Sequence, residues 1–64
     1  MTIENVLFYL DNFAHVHIKL NGRDLISGYV CVVCDKFDYS TMKLSKIDVK
    51  NNIVIIKGYQ IYER

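Results

Sequence analysis

The chain has 64 residues, with no proline, no tryptophan and only three glycines. Disordered segments are rich in proline and polar residues, so a composition of 52% hydrophobic and 23% charged residues excludes a disordered tail. The formal net charge is only +1, and any binding of nucleic acid would therefore depend on the local placement of lysine and arginine. A chain of this length forms one domain, residues 1–64, near the lower limit for burying an adequate core.

Long apolar runs are also missing. None approaches the roughly 18 residues that a membrane-spanning helix needs. The opening segment, MTIENVLFYL, lacks the basic residues with which a signal peptide begins. We therefore expect a cytoplasmic protein that has no membrane partner.

Catalytic motifs are scarce as well. The sequence contains neither a GxGxxG pattern nor a Walker motif. Asp35 and Asp38 flank Phe37, but two carboxylates without a nucleophile, a metal cluster or a phosphate-binding loop do not define a catalytic site. The sequence predicts that the protein is not an enzyme and needs no cofactor.

The two cysteines, Cys31 and Cys34, lie in the apolar run YVCVVC. Together with His15 and His17 they could supply four zinc ligands. In a regular strand, however, positions three apart point to opposite faces, so both cysteines could not reach one metal ion. The pattern predicts two reduced cysteines packed as small hydrophobic residues, and no metal site.

The spacing of apolar residues predicts a helix and then strands. Ile3, Val6, Leu7 and Leu10 follow the spacing of an amphipathic helix, and Thr2 is placed to cap its first turn. From Ala14 to Leu20 the apolar residues alternate with polar ones, which predicts a strand with one buried face.

The rest of the sequence is typical of strands and turns. Asn21-Gly22 predicts a hairpin, which leads into a second strand over Leu25–Cys34 that bends at Gly28. A polar loop, DKFDYS, precedes a third strand that starts near Met42, and VKNN forms another turn. Ile53–Lys57 and Tyr59–Tyr62 then predict a fourth and a fifth strand. The expected fold is mainly β: a short N-terminal helix followed by a five-stranded, strongly bent antiparallel SH3-like barrel.

This order of elements resembles the Sm/LSm family, which includes bacterial Hfq. The family's first motif is matched by Val16, Ile18, Leu20, Asn21-Gly22-Arg23, Gly28 and Asp35. Its second motif is matched by Ile55-Ile56-Lys57-Gly58-Tyr59-Gln60-Ile61, with lysine in place of arginine. Two departures stand out: the segment from Gly22 to Asp35 is about two residues longer than the family pattern, and Tyr39 stands where the family usually has asparagine.

The resemblance implies binding of single-stranded RNA, U-rich or A-rich, at the pore of a ring of six or seven subunits. The RNA-binding residues that it implies are Asp35, Phe37, Tyr39, Lys57 and Gly58. Phe37 would stack on a base and Lys57 would contribute a positive charge to the same slot. Tyr39 cannot reproduce the bidentate hydrogen bonds of an asparagine to a base edge.

The segment Ile53–Ile56 is apolar at every position, whereas a strand with one wet face should alternate. The resemblance implies that a neighbouring subunit covers it, with an oligomer interface formed by Ile53, Val54, Ile55, Ile56, Tyr59 and Ile61. The alternative is a monomer in which the N-terminal helix covers this strand.

A different class of function is also open: a small SH3-like protein-binding regulator or inhibitor, such as one encoded by a mobile element, with no nucleic-acid activity. Its contact anchors would be exposed tyrosines, because tyrosine is enriched at binding hot spots. The candidates are Tyr29, Tyr39, Tyr59 and Tyr62.

Overall fold

The computed structural model describes residues 1–60. Two helices lie in this part of the chain, α1 (Ile3–Tyr9) and the single turn α2 (Val30–Val33), and a 3₁₀ turn spans Tyr39–Thr41. The strands are β1 (His15–Leu20), β2 (Arg23–Tyr29), β3 (Lys43–Lys50) and β4 (Ile53–Tyr59). Within the described residues, neither helix is both long enough and apolar enough to cross a bilayer.

The predicted N-terminal helix and its cap are confirmed. The backbone N–H of Asn5 donates to the Thr2 hydroxyl at 3.3 Å, and the backbone N–H of Thr2 donates to the side chain of Asn5 at 2.9 Å. This reciprocal pair satisfies two backbone donors that the first helical turn would otherwise leave free. The helix buries Ile3, Val6 and Leu7, in agreement with their spacing in the sequence.

Both predicted tight turns are present, and each has two residues. Asn21 and Gly22 have φ values of +54° and +80°, and Asn51 and Asn52 have φ values of +54° and +63°. Two consecutive residues with positive φ are the hallmark of the type I′ turn, whose twist matches that of the flanking strands. Asparagine tolerates this left-handed conformation better than most residues, so NG and NN close the two hairpins.

The four strands form one open sheet in the order β2-β1-β4-β3. The hairpins β1–β2 and β3–β4 are antiparallel, whereas the central pair, β1 and β4, is parallel. The mainly β fold with a short N-terminal helix is confirmed, but the sheet of residues 1–60 is mixed and not closed. Tyr59 is the last residue of β4 and Gln60 is outside any strand, while the remainder of the expected fifth strand lies beyond the described residues.

The second strand is shorter than predicted. It ends at Tyr29, and the chain then turns into α2, so the expected strand over Leu25–Cys34 is wrong in its second half. Gly28, with φ +147°, adopts a conformation that few other residues can. The N–H groups of Val30 and Cys31 then donate to carbonyls before β1, those of Ala14 and Asn12, both at 3.0 Å.

Because the chain is helical at Val30–Val33, the side chains there no longer alternate. Val30 and Val33, three positions apart, both point into the core. Cys31 and Cys34 are reduced and exposed, so the prediction that they pack as small hydrophobic residues is wrong. Val30 and Val33 occupy the core positions in this segment, and the two cysteines point to solvent.

The core lies between the helices and one face of the sheet, called here the inner face. Its fully buried side chains are Ile3 from α1, Val33 from α2, and Val16, Ile18 and Ile56 from the two central strands. The opposite side of the sheet, the outer face, has no helix packed on it within residues 1–60. β4 lies in the middle of the sheet, where Ile56 belongs to the core and Val54 packs against it, whereas Ile53 and Ile55 point to the uncovered outer face.

Candidate functional site

The outer face of the sheet carries five of the six lysines of the chain. Strand alternation places Lys19 on this face in β1 and Lys57 in β4, and three further lysines lie on β3. Those of β3 are Lys43, Lys46 and Lys50. Lysines are spread through the sequence, and only the pairing of the strands brings them to one surface.

Three of these lysines form a row across the sheet. Lys57 of β4 is the register partner of both Lys19 on β1 and Lys46 on β3. Neighbouring strands are about 4.8 Å apart, so the row spans about 10 Å. The backbone positions of the three lysines therefore lie close together on one surface.

Carboxylates partly offset the charge of this row. The Nζ atom of Lys19 lies 3.8 Å from Asp24, and that of Lys46 lies 3.6 Å from Asp48. Lys57 has no carboxylate oxygen within 4.0 Å among the described residues. Five lysines and two aspartates leave a charge of +3 on the outer face, compared with +1 for the whole chain.

Exposed aromatic rings flank the lysine row on two sides. Tyr59, 45% exposed, lies on the outer face two residues beyond Lys57 and lines a shallow depression with Lys19 and Lys57. Tyr29, 52% exposed, lies at the other end of the face, with its ring centroid 5.7 Å from that of His15. The outer face therefore combines a row of lysine side chains with exposed aromatic rings.

The end of β4 is held in place by Asn21. The side-chain amide of Asn21 donates to the carbonyl of Gln60 at 3.3 Å, and its oxygen accepts from the N–H of Gln60 at 3.1 Å. The backbone N–H of Asn21 also donates to the carbonyl of Gly58 at 3.0 Å. These bonds fix the segment that carries Lys57 and Tyr59 to the β1–β2 turn.

Gly58 is required by packing on the inner face. A Cβ atom at this position would lie 2.6 Å from both the Cδ1 atom of Ile3 and the carbonyl oxygen of Lys43. The glycine therefore lets α1 approach β4 closely. Its side of the strand faces away from the surface on which Lys57 lies.

The five residues implied as RNA-binding fall into two groups on different sides of the molecule. Lys57 and Gly58 are at the end of the sheet, whereas Asp35, Phe37 and Tyr39 line a groove beside α1. No depression described for residues 1–60 is lined by both Phe37 and Lys57. Phe37 and Lys57 thus line different depressions, and the slot that would combine them stays a prediction.

Tyr39 belongs to the core and is only 3% exposed. Its hydroxyl donates to the backbone carbonyl of Val33, and the ring of Phe37 packs edge-on against it with a centroid distance of 6.1 Å. Burial, followed by the influence of Cys34, raises the pKa of the Tyr39 hydroxyl. Because Tyr39 is buried, the expectation that it is an exposed contact anchor is wrong. The polar residues around it in the segment DKFDYS gave no indication of this burial.

The residues of the expected oligomer interface are also divided between the two faces. Val54 and Ile56 point to the inner face, whereas Ile53, Ile55 and Tyr59 point to the outer face. Both edges of β4 are already paired within the chain, one with β1 and the other with β3. Ile61, the sixth member of the set, lies outside the described residues.

The groove beside α1 has the opposite electrostatic character to the outer face. It is lined by the aromatic rings of Phe8 and Phe37 and by three carboxylates, those of Glu4, Asp35 and Asp38. Opposite charges are thus segregated to the two sides of a nearly neutral chain.

The cysteines lie close to this groove. The Sγ atom of Cys34 donates a weak hydrogen bond to the carbonyl of Cys31 at 3.7 Å. Cys34 is exposed overall, but its thiol has a raised pKa. The larger cause is desolvation of the thiol, and the next is the neighbouring carboxylate of Asp35. A thiol with a raised pKa is a poor nucleophile at neutral pH. Within residues 1–60, no three His, Cys, Asp or Glu side chains converge in a manner that could hold a metal ion.

Comparisons of this chain with protein-family models, with curated proteins and with solved structures found no match.

Proposed function

We propose that the protein binds single-stranded RNA on the outer face of its sheet. The observation that carries the proposal is the row formed by Lys19, Lys57 and Lys46, with Tyr59 beside it. Phosphate groups bind such a row by displacing counterions, and bases stack on exposed rings without regard to sequence. The site needs no metal ion and no cofactor.

In this proposal Lys57 binds RNA together with the lysines beside it in the sheet, and not together with Phe37. Lys57 retains the role that the Sm-like resemblance implies, a contact to phosphate or base, but it acts together with Lys19 and Lys46. Tyr59 replaces Phe37 as the stacking ring nearest to it. Membership of the Sm/LSm family, the closed five-stranded barrel, the ring of six or seven subunits and the preference for U-rich or A-rich RNA rest on the sequence motifs alone.

The experiment is fluorescence anisotropy with labelled oligo-U and oligo-A over a series of salt concentrations. The Lys57→Ala variant should bind more weakly and reduce the slope of log K against log salt by about 0.7, the value for one contact to single-stranded nucleic acid. Lys36→Ala is the matched control, because Lys36 is the one lysine outside the five strand lysines of the outer face. It should bind like the wild type. An absence of affinity in the wild-type protein at low salt would reject the proposal.

A second candidate, a protein-binding regulator, is favoured by a separate observation. Phe8, Tyr9 and Phe13 are 75–85% exposed at and just after α1, and Phe8 lines the acidic groove. Large exposed aromatic side chains mark interaction surfaces. The two candidates use opposite sides of the molecule, so replacing Phe8 and Tyr9 with serine should leave RNA binding unchanged and would weaken only a protein contact.

A further inference from the structure

We propose that β3 pairs with β3 of a second copy of the chain in an antiparallel, two-fold symmetric dimer. The strand lies at the edge of the sheet, with β4 on one side. An exposed strand edge presents unpaired N–H and C=O groups to which another strand can add. This pairing would join the two sheets into one of eight strands.

The N-terminus covers part of this edge and thereby defines the part that is open. The N–H of Leu44 donates to the carbonyl of Met1 at 3.0 Å, and the N–H of Ile3 donates to the carbonyl of Met42 at 2.9 Å. Thr2 forms a bridge with Lys43 between these two bonds. The available edge therefore starts at Ser45 and runs to the end of β3.

The open part of β3 carries apolar side chains that its own chain leaves exposed. Ile47 and Val49 point to the inner face, yet they are 43% and 71% exposed, whereas Ile56, the partner of Ile47 on β4, is fully buried. The helices cover the middle of the sheet and stop short of this edge. A second β3 alongside would bring its own Ile47 and Val49 against these residues.

The charges on β3, together with the turn that follows it, select one register for this pairing. If Ile47 lies opposite Ile47 of the second copy, Lys46 of each chain lies opposite Asp48 of the other, and Ser45 lies opposite Val49. Opposite charges directly across an antiparallel pair are stabilising and like charges are destabilising. The two-fold symmetry produces both ion pairs at once.

Other two-fold registers, centred on Lys46, Asp48 or Val49, also keep the inner faces of the two sheets on the same side, but each is unfavourable. A shift of the pairing centre to Lys46 or to Asp48 places identical charges opposite each other. A shift to Val49 places Asp48 opposite Lys50, but it extends the pairing into the turn, where Asn51 and Asn52 have φ values of +54° and +63° that are incompatible with an extended strand. The register centred on Ile47 also ends where the N-terminal segment begins to cover the edge.

The dimer uses the edge of the sheet and leaves Lys19 and Lys57 of the row accessible, while it pairs the third lysine, Lys46, with Asp48 of the second copy. It also differs from the ring that the Sm-like resemblance implies, since it is closed after two copies and does not use β4.

Charge exchange between two chains gives a direct test. The Lys46→Asp variant carries two acidic residues at positions 46 and 48, and the Asp48→Lys variant carries two basic ones. Each variant alone should sediment at the 7.5 kDa mass of one chain, because like charges would lie opposite each other. An equimolar mixture should recover the dimer, with a mass twice that of the chain. Loss of the Lys46–Asp48 contact within one chain cannot produce this recovery, because mixing does not restore it.

A cross-link tests the register separately, in a background in which Cys31 and Cys34 are replaced by serine. Ile47→Cys should form an intermolecular disulfide with oxidised glutathione, because two residues directly opposite in an antiparallel pair fall within disulfide reach. Val49→Cys is the matched control, since it faces Ser45 and should not cross-link. A wild-type protein that sediments as a single chain at about 1 mM, or a variant mixture that stays monomeric, would overturn the proposal.

Discussion

Lys19 and Lys57 are register partners in the parallel β1–β4 pair, so two positively charged side chains leave neighbouring positions on the outer face. Asp24 approaches Lys19 at 3.8 Å, whereas Lys57 has no such partner among residues 1–60. A repulsive pair of this kind lowers the stability of the free protein. This repulsive pair lies on the two central strands of the sheet. An anion bound between the two lysines would reduce the repulsion.

We therefore expect the Lys57→Gln variant to be more stable than the wild type and weaker in binding RNA. At low salt the free energy of unfolding should rise by about 0.2–1 kcal/mol, the range for cross-strand pairs. The gain should shrink in about 1 M salt, where screening weakens the repulsion. Urea denaturation at both salt concentrations measures the effect, with Lys36→Gln as the control. A variant less stable than the wild type at low salt would show that the repulsion is negligible.

The stacking surface should be Tyr59 and not Phe37. Tyr59→Ala should weaken binding of oligo-U by about 1–3 kcal/mol, the usual loss for one stacked base, and leave the salt dependence unchanged. Phe37→Ala should bind RNA like the wild type, because Phe37 lies in the groove beside α1. The same anisotropy titration measures both variants. Equal losses of binding free energy in the two variants would show that Phe37 also contacts the RNA. A second chain would then have to bring Phe37 near Lys57.

The buried hydroxyl of Tyr39 should make stability depend on alkaline pH. Its pKa is raised above the ordinary value of 10.0 by burial, so the folded state favours the protonated form. This contribution to stability is fully present below pH 10.0 and is lost as the pH rises through the higher pKa of the folded state. The difference in unfolding free energy between the wild type and Tyr39→Phe should therefore shrink as the pH rises above 10.0.

Urea denaturation of the two proteins from neutral to alkaline pH measures this difference. At neutral pH the variant should lose about 1 kcal/mol, the usual net value of one hydrogen bond. Because both proteins share the lysines and the other tyrosines, their titration cancels in the comparison. A constant difference across the whole range would show that Tyr39 does not titrate with unfolding.

The local patterns in the sequence were sufficient to predict α1, β1 and both two-residue turns. Each depends on interactions within a few residues, such as the bonds between Thr2 and Asn5 or the positive φ values at Asn21-Gly22. The helix at Val30–Val33 could not be predicted in this way, because β-branched residues and cysteine in that segment favour a strand. Hydrogen bonds to Asn12 and Ala14, far away in sequence, decide its conformation.

The candidate site was only partly visible in the sequence for the same reason. Lys57 was identified through a motif, but its partners, Lys19 and Lys46, depend on a strand order that no local pattern specifies. One signal was available: β1 alternates apolar residues with histidine and lysine, and β3 carries three lysines among its polar positions, which indicates a mainly basic face on each strand. The parallel pairing of β1 with β4 then places these strands in one surface.

That parallel pairing also determines how the chain must fold. His15 pairs with Ile53, a sequence separation of 38 residues, whereas each hairpin closes over only two. Hairpins of this kind form in about 1–10 μs, but pairing of distant segments must first overcome the entropy of closing the chain between them. The two hairpins should therefore appear early as independent units, and the rate of folding should be set by the encounter of β1 with β4. Substitutions at Ile18 and Ile56, where the two strands meet in the core, would then slow the folding of the whole chain. Changes in the two turns would mainly alter the rate at which each hairpin forms.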